Sequence, residues 1–137
     1  MSVSSPLFKG ARYTITAWLD EDERSATQEF IRDLFQNDDS DAGSMVHLLE
    51  QTATHGPPHN IQKFRYLDGR GEGLIEFKAR GGSRILGFID LERRIIVCTH
   101  GVPKLKAKRF NQEMDKAQKI KELYLMESAS EGGGHVN

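Results

Sequence analysis

Cysteine is almost absent from this chain of 137 residues: its single thiol, Cys98, forms no internal disulfide and belongs to no cysteine cluster that would bind zinc. Long apolar runs are missing as well, since no stretch approaches the ~20 residues that a membrane-spanning helix needs. The first residues, MSVSSP, also lack the basic segment and apolar stretch of a secretory signal. These absences exclude a disulfide scaffold and a transmembrane helix, and they favour a reducing, cytoplasmic setting.

A strong excess of either charge is also missing, because the formal net charge is −1, with 28% charged and 37% hydrophobic residues. That composition is typical of a globular protein, and a chain of this length buries roughly two-thirds of its unfolded surface in one domain. The charges are unevenly distributed: residues 1–60 contain four Lys or Arg and ten Asp or Glu, whereas residues 61–137 contain fifteen and ten. The sequence therefore predicts an acidic part and a basic part, of which only the second would favour a nucleic acid.

The alternation and spacing of apolar residues predict the order β-α-α-β-β-β-α, with room for one further strand. ARYTITAWL (11–19) has the pattern of a strand, and Asp20 is a candidate cap for a helix over about 21–36. The turn QNDDSDAGS (36–44) comes next, followed by a second helix that ends at Gly56. An antiparallel meander is predicted next, from the strand-like runs IQKFRYL, GLIEFKAR, SRILGFID and RRIIVCTH. A last helix is predicted over about 106–126. The predicted fold is α+β, an antiparallel sheet packed against helices, with residues 1–126 as one domain and residues 127–137 as a disordered tail.

The hairpin GLIEFKARGGSRILGFID (73–90) carries unusually many charges for two strands. Because side chains alternate along a strand, one predicted face carries Ile75, Phe77 and Ala79 and packs on helices, and the opposite, open face carries Glu76, Lys78 and Arg80. On the next strand, Arg84 shares its face with Leu86 and Phe88. Two interpretations remain: a solvated face on which Glu76 pairs with Lys78 or Arg84, or a surface for a polyanion.

The segment THGVPKLKAKR (99–109) is the second basic feature. Cations at a strand end and on the first turn of a helix bind phosphates by charge and hydrogen bonding; those available are Lys104, Lys106, Lys108 and Arg109. They oppose the helix dipole, and a bound anion would relieve that cost. The alternative is a solvated basic turn.

His100 has the side chain best suited to proton transfer near neutral pH, although a structural role is the alternative. Cys98 is predicted on the same strand face as His100 and, without a visible base, as a core residue. His47, His55 and His59 show no ligand spacing with a carboxylate, so no metal site is predicted. Core positions are also predicted for Trp18, Phe64 and Tyr124.

Taken in order, LIEFKARGGSRILGFID and RRIIVCTHGVPKLKAK resemble the HigB-type, phage-derived branch of the RelE/ParE toxin superfamily, over roughly residues 61–125. That branch has a Glu-Leu-Arg motif, a glycine-containing turn, a strand opening with Arg, a His-Gly pair and a Lys-rich helix. The positions that match these motifs in turn are Glu76 and Lys78, then Arg84, then His100 and Gly101, then Lys104. Lys78 stands where the family has arginine.

The resemblance implies a RelE-like fold and a toxin of a type II toxin–antitoxin pair, an endoribonuclease that cleaves messenger RNA at the ribosome without metal or cofactor. It implies catalytic roles for Arg84, His100, Lys78 and Lys104, and RNA binding by Arg80, Lys106, Lys108 and Arg109. Glu76 would pair with neighbouring cations. The implied partners are messenger RNA, the ribosome and a small helix-turn-helix antitoxin, and no membrane. Two alternatives stay open: a non-catalytic ParE-like inhibitor of a protein such as DNA gyrase, and a phage-derived domain that binds a partner without toxicity.

Overall fold

The computed structural model describes residues 4–67, 73–104 and 109–136, which form six strands and three helices around one sheet. The strands are β1 (Ser4–Lys9), β2 (Thr14–Trp18), β3 (Phe64–Tyr66), β4 (Leu74–Lys78), β5 (Arg84–Asp90) and β6 (Ile95–Val102). The helices are α1 (Ala26–Gln36), α2 (Asp41–His55) and α3 (Phe110–Val136). This order, ββααββββα, confirms the predicted α+β class; it includes the further strand for which the sequence leaves room and adds β1, which the sequence does not predict.

The sheet is mixed, in the order β1-β2-β6-β5-β4-β3, so the prediction of a purely antiparallel sheet is wrong. β2 runs parallel to β6, while the other neighbouring strands are antiparallel. The physical reason is that the chain leaves β2 through α1 and α2, and such a long crossover is what a parallel neighbour requires. The predicted meander of later strands is confirmed by the antiparallel run from β3 to β6.

Helices cover both faces of the sheet. On one face, Met45 and Leu49 of α2 pack with Ile75 and Phe77 of β4, as the alternation predicts. On the other face, the α3 residues Met114, Ala117 and Tyr124 pack on Leu74, Leu86, Phe88 and Val97. The prediction of an open face is therefore wrong for Glu76, which is buried, because Leu74, Leu86 and Phe88 on that face draw α3 onto the sheet. Lys78 is half-buried and Arg80 is exposed, since both lie near the end of β4.

The helix ends differ partly from the predicted ones. α1 is capped by Ser25, whose Oγ accepts a hydrogen bond of 3.0 Å from the Gln28 backbone N–H, and not by Asp20. The Asp20 carboxylate instead accepts from the backbone N–H groups of Asp22 and Arg24 in the preceding turn, at 2.8 and 2.9 Å. α2 ends at Gly56 as predicted, where φ is +87°.

The last helix is longer than the range predicted from its apolar residues. α3 continues to Val136, whereas the predicted helix ends at residue 126. The division into a domain of residues 1–126 and a tail of residues 127–137 stays a prediction. In the described part of the chain, no helix is long and apolar enough to cross a membrane.

A β-bulge in β6 decides where His100 points. Leu86 pairs with His100, but Gly87 pairs with Cys98, so Thr99 is an extra residue that donates a 3.1 Å hydrogen bond from Oγ1 to the Leu86 carbonyl. As a result Cys98 faces α1 and α2, while the imidazole of His100 faces α3. The predicted shared face of Cys98 and His100 is wrong for this reason, since strict alternation does not survive a bulge.

The predicted core positions are otherwise confirmed. Phe64 and Tyr124 are buried, and Trp18 packs against the cluster under α3. Cys98 is fully buried, and burial raises the pKa of its thiol to about 12. The Cys98 side chain therefore stays protonated and acts as a small apolar residue.

Candidate functional site

Two rows of residues cross the sheet at the end where β4 stops and β5 begins. The strand pairing gives the first row as Arg65, Glu76, Leu86 and His100, and the second as Lys63, Lys78, Arg84 and Val102. Residues from separate motifs, Lys78, Arg84 and His100, thus become neighbours.

Three further cations belong to the same end of the sheet. Arg80 lies in the turn between β4 and β5, and the side chain of Lys104 lies beside Gly82 of that turn. Arg109 directly precedes Phe110, whose ring lies against Arg65 and Arg84. We call the cations gathered here the basic end: Lys63, Arg65, Lys78, Arg80, Arg84, Lys104 and Arg109.

Glu76 forms the buried centre of an ion cluster in the basic end. Its side chain is 2% exposed, and its Oε1 accepts a 2.8 Å hydrogen bond from Arg65 Nε. Arg84 Nε lies 3.4 Å from Glu76 Oε2, a contact that pairs the charges but is not a good hydrogen bond. The guanidinium carbons of Arg65 and Arg84 lie 5.7 and 5.2 Å from the centroid of the Phe110 ring, within range of a cation–π contact. Two arginines therefore share one carboxylate, and the cluster keeps a net positive charge.

The predicted role of Glu76 as a charge-pairing residue is supported by this geometry, with Arg84 as one partner. The second partner is Arg65, which the sequence does not single out, and not Lys78. Arg65 lies on the edge strand directly opposite Glu76, so the cross-strand register is the signal that would have identified it.

Asp41 fixes the turn that carries Arg80. This carboxylate, at the start of α2, is 1% exposed and accepts hydrogen bonds from the backbone N–H groups of Gly81 and Ser83 at 2.6 and 3.0 Å. Burial on its own would raise the pKa of Asp41, but the hydrogen bonds from Ser83 and Gly81 and the charge of Lys104 outweigh it, so the pKa is lowered. Asp41 thus holds the tip of the hairpin against the first turn of α2.

We expect Asp41→Asn to lower the free energy of unfolding by about 1–3 kcal/mol, because one hydrogen-bond acceptor and the charge are lost from a buried site. The pKa of Asp41 lies below its ordinary value of 3.8 in the folded state. The stabilisation is therefore complete above that value and disappears as the pH falls through the folded pKa. Urea unfolding followed by circular dichroism at neutral and acidic pH measures both effects.

The matched control is Asp33→Asn, a change of the same kind at an exposed position of α1. We expect it to change stability by no more than about 0.5 kcal/mol. Equal stabilities of the Asp41 and Asp33 variants at neutral pH would show that the contact with the turn is not important.

His100 is buried under α3 and lies between two polar partners. It is 3% exposed; its Nε2 lies 3.2 Å from Glu113 Oε2, and its Nδ1 lies 3.0 Å from Thr99 Oγ1. Burial lowers the pKa of His100, the positive charge of Lys116 lowers it further, and Glu113 only partly compensates. The ring is therefore neutral at neutral pH, the form that accepts a proton.

The remaining cations of the basic end are available to an external anion. Arg80, Lys104 and Arg109 are exposed and Lys78 is half-buried. Within residues 4–67, 73–104 and 109–136, none of these four makes a salt bridge. The neighbouring carboxylates of Asp41, Glu76 and Glu113 all have partners in the protein, as described above. The predicted residues Lys106 and Lys108 lie outside the described residues.

The structure therefore brings together Lys78, Arg80, Arg84, Lys104 and Arg109, and it places His100 next to them but beneath α3. Among the described residues, no three His, Cys, Asp or Glu side chains are grouped so that they could hold a metal ion. Comparisons with models of protein families, with curated proteins and with solved structures found no match.

Proposed function

We propose that this chain is a toxin of the RelE/ParE type, similar to the HigB branch, and that it cleaves messenger RNA at the basic end. The observation that supports the proposal most directly is that Lys78, Arg84 and His100, which occupy three separate motif positions of the resemblance, lie in adjacent rows of the sheet. The proposal extends to a RelE-like fold. Without the two edge strands β1 and β3, the elements read β-α-α-β-β-β-α, the order predicted from the apolar pattern, although this order is not specific to that fold.

Cleavage of RNA needs little more than positioned charge and a base, because the 2′-hydroxyl of the substrate is the nucleophile. Neutral His100 would take the hydroxyl proton, a contribution of about 10²–10⁴ in rate. The 2′-oxygen would then bond to phosphorus as the bond to the 5′-oxygen breaks, which gives a 2′,3′-cyclic phosphate, and the leaving 5′-oxygen would take a proton from water. Arg84, Lys78 and Lys104 would stabilise the developing negative charge on the phosphorus centre, each by about 10²–10³. Arg80 and Arg109 would bind the neighbouring phosphates, as would Lys106 and Lys108, for which the sequence predicts the same role. No metal or cofactor takes part in this scheme.

The burial of His100 sets a condition on this mechanism. Glu113 lies against its Nε2, and Phe110 lies over Arg84, so both catalytic side chains are partly covered by the first turn of α3. Contact with a phosphate requires that this turn move away from the sheet. The same burial favours the second candidate function, in which the chain inhibits a protein target such as DNA gyrase without catalysis, or binds another partner.

The proposed partners follow from charge. An antitoxin of the helix-turn-helix class would cover the basic end with acidic and apolar groups, and such complementary charges speed association and favour the correct partner. On the ribosome, the same cations would meet the phosphates of the message.

The experiment is to incubate the purified protein with translating ribosomes and a defined message. We expect cleavage at specific positions, which disappears when the nucleotide before the cut carries a 2′-O-methyl group, because the nucleophile is then blocked. Lys104→Ala should lower the rate by about 10²–10³, whereas Arg32→Ala on the exposed side of α1 should leave it unchanged. Lys104 is exposed and without a salt bridge among the described residues, so its loss does not disturb the buried ion cluster.

Two other outcomes would support the alternatives. An intact message together with inhibited supercoiling by DNA gyrase would identify the ParE-like function. An intact message without any effect on gyrase would favour the remaining alternative, a domain that binds a partner without toxicity.

A further inference from the structure

A groove with a volume of about 1020 Å³ lies beside the basic end, between α2, the segment 56–63 and the end of β4. Every charged or titratable side chain among the described residues that line it is a cation or a histidine: His47, His55, His59, Lys63, Lys78 and Arg80. No Asp or Glu is among these lining residues. The groove therefore has the charge of a site for an anion.

We propose that this groove is the track along which single-stranded RNA leaves the basic end, with its phosphates on the cations and its bases against the histidine rings. This inference rests on the proposed function and names the path of the substrate beyond the point of cleavage. Lys78 and Arg80 belong both to the groove and to the basic end, so the two sites are continuous.

The dimensions of the groove suit a strand of several nucleotides. Its lining runs from Ser40, the residue before α2, to His55 at the end of that helix, a length of about 22 Å at a rise of 1.5 Å per residue. Along this length the polar residues Ser44, Gln51 and His55, together with His47, recur at spacings of three and four, so they share one stripe of the helix.

The groove's flat side chains favour an unpaired strand over a duplex. His47, His55 and His59 are exposed, and Pro57 and Pro58 add flat apolar surface between them. Unstacked bases of single-stranded RNA bind to aromatic rings of this kind, with positive charge along the backbone.

Binding of a fully 2′-O-methylated RNA oligonucleotide, which the protein cannot cleave, tests the track by fluorescence anisotropy at 50–200 mM salt. For single strands, log K falls with log[salt] by about 0.7 per neutralised phosphate. The double variant Lys63→Gln/Arg80→Gln should therefore reduce the slope by about 1.4. The triple variant His47→Ala/His55→Ala/His59→Ala, which removes the rings that the bases would contact, should weaken binding at constant pH and salt.

The control is Lys9→Gln/Arg32→Gln, which removes the same charge at exposed positions outside the groove and should leave both the slope and the affinity at constant salt unchanged. Wild-type binding by both groove variants, or no binding of the oligonucleotide by the wild type, would overturn the track. Equal affinity for duplex and single strand would overturn it as well. Binding that depends on the groove, without cleavage of message on ribosomes, would overturn the proposed function but not the track.

Discussion

Replacing Glu76 by alanine is expected to lower the free energy of unfolding by about 3–5 kcal/mol, the largest loss of stability predicted for any single change in this chain. The carboxylate is 2% exposed and is shared by Arg65 and Arg84. Its removal leaves the Arg84 guanidinium, whose side chain is only 19% exposed, without a counter-charge and beside a second arginine. Urea unfolding at neutral pH measures the loss.

A matched control separates this effect from the general loss of a charged side chain. Glu92→Ala removes the same group at an exposed position between β5 and β6, where we expect a change within about 0.5 kcal/mol. The double variant Glu76→Leu/Arg84→Met should recover most of the stability, because replacing both members of a buried pair by apolar residues is often neutral. If Glu76→Ala unfolded at the same urea concentration as Glu92→Ala, the cluster would have no structural role.

The ion cluster also bears on the proposed function. Two guanidinium groups face one carboxylate, and the Arg84 contact is a charge pairing rather than a hydrogen bond. A phosphate close to Arg84 would supply the second negative charge that the cluster lacks. Glu76 would then position Arg84 without touching the substrate.

Local patterns in the sequence are sufficient to predict the strands and one of the two packed faces. In LIEFKAR, the alternation correctly assigns Ile75 and Phe77 to the core under α2. It cannot show that α3 covers the opposite face, because an amphipathic helix carries no information on which surface it will bury. The burial of Glu76 was therefore invisible in a segment whose secondary structure was predicted correctly.

The position of His100 could not be predicted for a different reason. Its orientation depends on the bulge at Thr99, which arises from the pairing of β6 with Leu86 and Gly87 of β5. The β6 sequence itself, IIVCTHGV, contains no local signal for an extra residue. The register between two strands depends on the sequences of both strands, whereas alternation uses the sequence of only one. Alternation therefore cannot reveal a shift in register.

The residues of the site that the sequence did not predict have partners that are distant in sequence. Asp41 binds the amides of Gly81 and Ser83, separated from it by 40 and 42 positions. Phe110 and Glu113 reach Arg84 and His100 only because α3 folds back over the sheet. The motif cations, in contrast, lie near strand ends and turns that local patterns identify, and the antiparallel connections bring them together.

Cleavage of message is expected to fall by about 10²–10⁴ in His100→Gln, the largest loss of activity predicted here, because the variant has no group that takes the proton of the 2′-hydroxyl. The pH dependence of cleavage by the wild type should also reflect the titration of His100. Burial and Lys116 hold the pKa of His100 below its ordinary value of 6.5. A base works in its neutral form, and kcat/KM reports the free enzyme, in which α3 covers His100. The value of kcat/KM should therefore be constant at neutral pH and should fall only at pH values below 6.5.

Two residues near His100 should shift the acid limb of the pH profile, the range in which activity falls as the pH decreases, in opposite directions. Glu113 raises the pKa of His100, so Glu113→Gln should move the limb to lower pH; Lys116 lowers it, so Lys116→Gln should move the limb to higher pH. Lys119→Gln, an exposed change on the same helix, is the control and should move nothing. The imidazole signals of His100 in an NMR titration report the same shifts without any cleavage. Opposite shifts by NMR combined with an unshifted cleavage profile would show that His100 is a structural residue of the core and that the proton of the 2′-hydroxyl goes elsewhere.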